Sequence, residues 1–231
     1  MEPFALHIGS FSLSEPVTAA SDLLISAFCI SRVIALQKYR TPDSIAVLWQ
    51  TFFLLMGISS LMGVIVHGFI FYQNETAHYN TWMGMSVISG ISIYFAQIAT
   101  CRSVLKDSRN GSLLRIIANV QIVLFLILML LFRSYNVVKI QVAAGMVPVM
   151  IIHFYAFRKG MVGSAWLASG IAVSFLSAVA HTLKLSISEK WFNFNDISHV
   201  FILVSFSLIS YGIVIRQKAE LADRAIPVTE S

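Results

Sequence analysis

Residues 116–132 read IIANVQIVLFLILMLLF. From Ile122 to Phe132 every side chain is apolar, and no period-two alternation breaks the run. A strand of a closed barrel would alternate lipid-facing and lumen-facing residues. A soluble amphipathic helix would carry a polar stripe. The stretch has neither, so it predicts a helix with lipid on most of its sides, since lipid forces the backbone to satisfy its hydrogen bonds internally.

Six further segments share this character. A hydrocarbon core of about 30 Å needs about 20 helical residues. Segments 16–37, 46–72, 80–100, 116–132, 140–157, 163–183 and 197–215 meet or approach that length. The expectation is an all-α fold, a single domain of seven transmembrane helices over 1–231, with a short tail at 216–231. Composition agrees: 57% of the 231 residues are hydrophobic and 12% charged, with a mean hydropathy of +0.78. Soluble domains carry about twice that share of charge.

The formal net charge is +5. Its distribution points to topology rather than to nucleic acid, because no basic, aromatic-studded face exists. Arg32, Lys38, Arg40, Arg102, Lys106, Arg109, Arg115, Arg158, Lys159, Arg216, Lys218 and Arg224 flank one side of the seven segments. Only Arg133, Lys139, Lys184 and Lys190 fall on the other. The positive-inside rule then predicts an extracytoplasmic N-terminus and a cytosolic C-terminus. Residues 1–14 hold no Lys or Arg, which predicts no cleavable signal. Cys29 and Cys101 have no pairing or metal-type spacing.

Several smaller signals bear on packing. Ser164, Ala168 and Ala172 on the sixth helix, Ser86 and Gly90 on the third, and Ser59 and Gly63 on the second form small-xxx-small pairs that favour close helix contact. Pro148 lies inside the fifth helix and leaves a carbonyl without its usual donor. Trp82 and Trp191 suit an outer interface. Asn74-Glu75-Thr76 fits a glycosylation acceptor.

Ionisable groups inside membrane spans are costly and are functional candidates by default. Under the expected topology, Asp22, His67, His78, His181, Asn195, Asp196 and His199 share one depth near the extracytoplasmic side. Ser59, Gly63 and His67 are spaced by four residues, and Asn195 and Asp196 lie four and three residues before His199. Such spacings put side chains on one helical face. His67, His199, His78 and His181 are candidate metal ligands, since two or three imidazoles with a carboxylate suit zinc with an open water position. Asp22 and Asp196 are candidate proton-handling groups. Ser59, Ser60, Gly63 and Asn195 would line the same pocket. For Asp196 a helix-capping role is the structural alternative.

Seven helices, a His late in the second and the N-x3-H pair Asn195/His199 opening the last resemble the CREST superfamily, which includes alkaline ceramidases and adiponectin/progestin receptors. Glu15-Pro-Val-Thr-Ala-Ala-Ser-Asp22 and Phe192-Asn-Phe-Asn-Asp-Ile-Ser-His199 look closest to its small bacterial-type members. The resemblance implies zinc held at His67 and His199 and a water activated against a lipid amide or ester. It also marks departures. Gly63 stands where the family pattern has Ser, Asn195 where it has His, and His78 where it has Asp. Two readings follow: a metal-dependent lipid hydrolase, or a non-catalytic seven-helix sensor or assembly subunit that binds a lipid or protein partner. A proton-coupled transporter is disfavoured, because few ionisable groups occupy the cytosolic halves of the helices.

Overall fold

The computed structural model describes residues 5–8, 11–40, 45–70, 74–106 and 108–225. A short antiparallel hairpin comes first, with β1 at Ala5–Ile8 and β2 at Phe11–Ser14, in the register Ala5 to Ser14 and Ile8 to Phe11. Seven helices follow: α1 Pro16–Leu36, α2 Ile45–Ile65, α3 Glu75–Thr100, α4 Arg109–Phe132, α5 Tyr135–Arg158, α6 Ser164–Thr182 and α7 Phe194–Ala225. All seven are long and apolar enough to cross a membrane.

Helix ends are set by local chemistry rather than by hydropathy. Pro16 opens α1, where its missing N–H costs nothing. Asn74, Ser108 and Ser134 cap α3, α4 and α5 by accepting from Ala77, Gly111 and Asn136 N–H at 3.0, 3.1 and 3.3 Å. These caps start α3, α4 and α5 five to seven residues before the expected 80, 116 and 140, because polar residues join the first turns. Helix α7 likewise runs to Ala225, past the expected 215. The far end of the expected second helix, residues 71–72, lies outside the described residues, as does 226–231 of the expected tail.

Two helices change pitch where they end. Val66–Ile70 continues α2 as a π-helical turn, and Cys101–Leu105 does the same for α3. The first carries His67. A π turn rotates the following side chains away from the plain i, i+4 stripe and often marks a functional site.

The helices form a ring in the order α1, α2, α3, α5, α6, α7, closed by contact of α7 with α1; α4 packs outside it on α3 and α5. The centre is apolar, built on Ile25, Phe52, Phe53, Ile93, Met146, Ile171 and Phe206. Phe206 meets the rings of Phe52 and Phe53 edge-on at 5.7 and 6.0 Å. That geometry suits the ring quadrupoles.

Close contacts between helices run through glycines. A Cβ on Gly170 would sit 2.8 Å from both Ser205 O and Ile209 Cγ1 of α7, and one on Gly212 would sit 2.7 Å from Gly163 O. Gly90 of the expected Ser86/Gly90 pair takes the Phe125 ring of α4. The Ser164/Ala168/Ala172 stripe is corrected in part: Ser164 and Ala168 are buried, whereas Ala172 is exposed. The drift of a 3.6-residue period carries the third member of such a row off the contact face.

Replacing Gly170 by Leu is therefore expected to cost about 1–3 kcal/mol or more through overpacking. Ala172→Leu should stay within about 0.5 kcal/mol. Thermal and denaturant unfolding of the purified chain in detergent checks both.

Candidate functional site

The hairpin end of the bundle gathers polar side chains from β2, α1, the π turn after α2, and the start of α7. The order begins with Glu15. It precedes Pro16 with a left-handed backbone (φ 39°, ψ 57°), uncommon for a residue bearing a Cβ. This turn brings its carboxylate back onto α2, where Oε2 lies 2.5 Å from His67 Nδ1. An ionised carboxylate only accepts, so Nδ1 carries the proton and Nε2 is left free. The neighbouring Ser14 hydroxyl donates to the His67 carbonyl at 2.5 Å. Both ends of residue 67 are thus held by the β2–α1 corner.

Asp22 lies two turns into α1 and is 5% exposed. Its carboxylate packs flat against Gly63 of α2, so close that a Cβ there would overlap it. Oδ1 is 3.7 Å from His199 Nε2, beyond hydrogen-bond length but within reach of a bridging water or an ion pair. Oδ2 is buried and has no partner. His199 is fixed from behind, its Nδ1 lying 2.7 Å from Ser21 Oγ.

Asp196 has a settled structural task. Asn193 caps α7 by accepting from Asn195 N–H at 2.8 Å, and Asp196 Oδ2 accepts from Asn193 N–H at 2.8 Å. This is a variant of the capping box: the third helical residue accepts from the N–H of the cap, while the cap side chain takes the N–H of the second. Asp196 Oδ1 accepts from the Thr18 hydroxyl of α1 at 2.8 Å. Both oxygens are engaged, so Asp196 orients α7 against α1. Asn195 enters this box through its backbone N–H.

The remaining candidates lie around the cluster. His181 sits between the rings of Tyr135 and Phe194, each 5.1 Å away, which ties α6 to α5 and α7. His78 lies in the first turn of α3, half-buried. The Ser59 hydroxyl donates to Met85 O of α3 at 3.0 Å, so Ser59 serves the α2–α3 contact. Ser60 is half-buried, and Gly63 makes room for Asp22. Glu15, Thr18 and Ser21 were not among the expected site residues. Part of the signal was present: Thr18 lies four residues before Asp22 on one helical face, whereas Glu15 precedes the helix.

Both His67 and His199 have Nδ1 engaged and Nε2 turned away from that partner, the arrangement that outer-shell groups impose on metal-binding histidines. Yet among the described residues no three of His, Cys, Asp and Glu are grouped closely enough to hold a metal ion. The acids and imidazoles form pairs instead.

Gly63 is the residue on which this packing turns. Gly63→Ser should displace the Asp22 carboxylate and destabilise the bundle by about 1–3 kcal/mol. Gly68→Ala, whose Cβ would meet Leu13 and Ala19 at 3.2 and 3.3 Å, should cost less. Unfolding midpoints of the two variants in the same detergent give the comparison.

No curated protein and no solved structure matches the chain. The family model described as "Family of unknown function (DUF6962)" matches residues 17–218, from the second residue of α1 to the last third of α7. With most of its length matched, including all seven helices, the chain belongs to the DUF6962 family.

Proposed function

We propose that this chain is a multi-pass membrane protein that binds the polar head of a lipid-like ligand, or a polar group of a protein partner, at the hairpin end of the bundle. It acts there as a non-catalytic sensor or assembly subunit. The N-terminus is extracytoplasmic and the C-terminus cytosolic, so the site lies beneath the outer headgroups. Seven apolar helices and the bias of Lys and Arg support this placement.

The observation that carries the binding reading is Asp22. Its Oδ2 is buried with no donor among the described residues, and its Oδ1 faces the His199 imidazole, which Ser21 holds from behind. A buried polar atom left unsatisfied costs about 1–3 kcal/mol, more when charged. A hydroxyl, amide or ammonium group of a ligand would remove that cost. Glu15 is engaged by His67, and Asp196 by Thr18 and the Asn193 N–H, which supports recognition rather than turnover.

A second reading, a zinc-dependent hydrolase of a lipid amide or ester similar to the alkaline ceramidases, is favoured by the anchored Nδ1 atoms of His67 and His199. It takes second place because the described donors do not gather into a set of three. No reaction step is built on it.

Native mass spectrometry from nanodiscs tests the first reading. Wild-type protein should retain an amphiphile that Asp22→Ala and His199→Ala lose while keeping their helical content. Identical retained lipids in all three proteins would overturn it. Elemental analysis separates the second reading. Near-stoichiometric zinc in wild type, absent from His67→Ala and His199→Ala, would put the hydrolase first. For orientation, C-terminal alkaline phosphatase fusions should be inactive and C-terminal fluorescent fusions bright.

A further inference from the structure

A cavity of about 30 Å³ lies between α3, α4 and α5, away from the histidine cluster. Its apolar wall includes Leu114, Ile117 and Ile152, and its polar edge is formed by Gln97, Gln121 and the Ala144–Pro148 turn. Three glutamines run beside it in a chain. Gln141 Nε2 donates to Gly90 O at 3.2 Å, Gln121 Nε2 donates to Gln141 Oε1 at 2.9 Å and to Gln141 O at 3.2 Å, and Gln97 Nε2 donates to Gln121 Oε1 at 3.0 Å.

The direction of this chain is fixed. Amide oxygen and nitrogen are assigned from their partners, and here two partners are backbone carbonyls, which only accept. Gly90 O requires the Gln141 nitrogen, and Gln141 O requires the Gln121 nitrogen. Gln121 then presents oxygen to Gln97, which must answer with nitrogen. The chain therefore ends on Gln97 Oε1, an acceptor that is buried and has no donor, on a residue only 7% exposed. Amides that all donate the same way polarise one another, so the terminal oxygen is a stronger acceptor than an isolated amide.

A second acceptor borders the same space. Pro148 has no N–H, so the carbonyl of Ala144 lacks its i+4 donor. We propose that this cavity is a hydration site, in which water donates one hydrogen to Gln97 Oε1 and the other to the Ala144 carbonyl. Water is the ligand whose two donors match two acceptors. A water needs about 10–15 Å³ of such volume, so the space suffices for one or two. The hydroxyl of a lipid would offer one donor only and would leave the other acceptor bare. Cys101, 3% exposed, lines the same space and serves as a reporter.

The test is X-ray radiolytic labelling of the full chain in nanodiscs, read by mass spectrometry, in which bound water oxidises the residues it touches. Cys101 should be oxidised in wild type despite its burial, and Gln97→Leu should lose that labelling. Pro148→Ala, which returns a donor to Ala144 and keeps the helix, should weaken it as well; this variant keeps the test decisive if Gln97→Leu does not fold. Unlabelled Cys101 in wild type, or equal labelling in wild type and Pro148→Ala, would overturn the proposal. So would cryo-EM density in the cavity that continues into an acyl chain or ring system, since the donor would then be a lipid hydroxyl.

Discussion

The absence of a side chain at Gly63 is the constraint from which the polar end of the molecule follows. Without a Cβ, α2 lets the Asp22 carboxylate of α1 lie against its backbone. That contact fixes α1 close to α2 and turns the other polar residues of α1 outward in two directions. Glu15 reaches over to His67 on the α2 side, while Thr18 and Ser21 reach Asp196 and His199 on the α7 side. Helix α1 is thus a polar wedge between two neighbours in an otherwise apolar ring. The long sequence separation of these bonds, up to 178 residues, closes the ring from first helix to last.

The seven helices were legible because apolar length is a strong signal and survives errors at the ends. The ends themselves were not, because caps such as Asn74, Ser108 and Ser134 depend on one hydrogen bond each and leave no trace in hydropathy. The shared depth of Asp22 and His199 was legible, and the structure sets them 3.7 Å apart. The partners that anchor His67 and His199, Glu15 and Ser21, were not. Glu15 precedes the helix, so helical periodicity does not extend to it, and its left-handed turn aims it at α2. The π turn carries His67 away from the stripe shared with Ser59 and Gly63. Within α2 itself Ser59 faces α3 and Gly63 faces α1, since four residues overshoot one helical turn. The hairpin at Ala5–Ser14 went unread because two four-residue strands give too short a pattern beside seven long helices.

The departures from the CREST pattern take on a physical sense under the proposed function. A Ser at position 63 would need the space that Asp22 fills, so the acid of this cluster comes from α1 rather than from a neighbouring helix. Asn195 sits in the capping turn of α7, where its N–H is used by Asn193. These two positions serve packing and capping, and the ionisable groups beside them are Glu15, Asp22 and the two imidazoles. Under the proposed function such a site holds a polar group by paired contacts, with each histidine already committed at Nδ1.

Gln97 Oε1 and Asp22 Oδ2, two of the buried atoms without partners among the described residues, differ in kind, and the difference separates their roles. Gln97 Oε1 is neutral and ends a chain of amides, so water can satisfy it permanently and lock α3, α4 and α5 together. Asp22 Oδ2 belongs to an acid, and a carboxylate in an apolar bundle is far more costly to leave bare than an amide. His199 Nε2 stands 3.7 Å from the other oxygen, too far to form a direct hydrogen bond. The first acceptor therefore asks for a fixed structural donor. The second changes its energy with whatever donor arrives, which is the property a binding site needs and a structural contact does not.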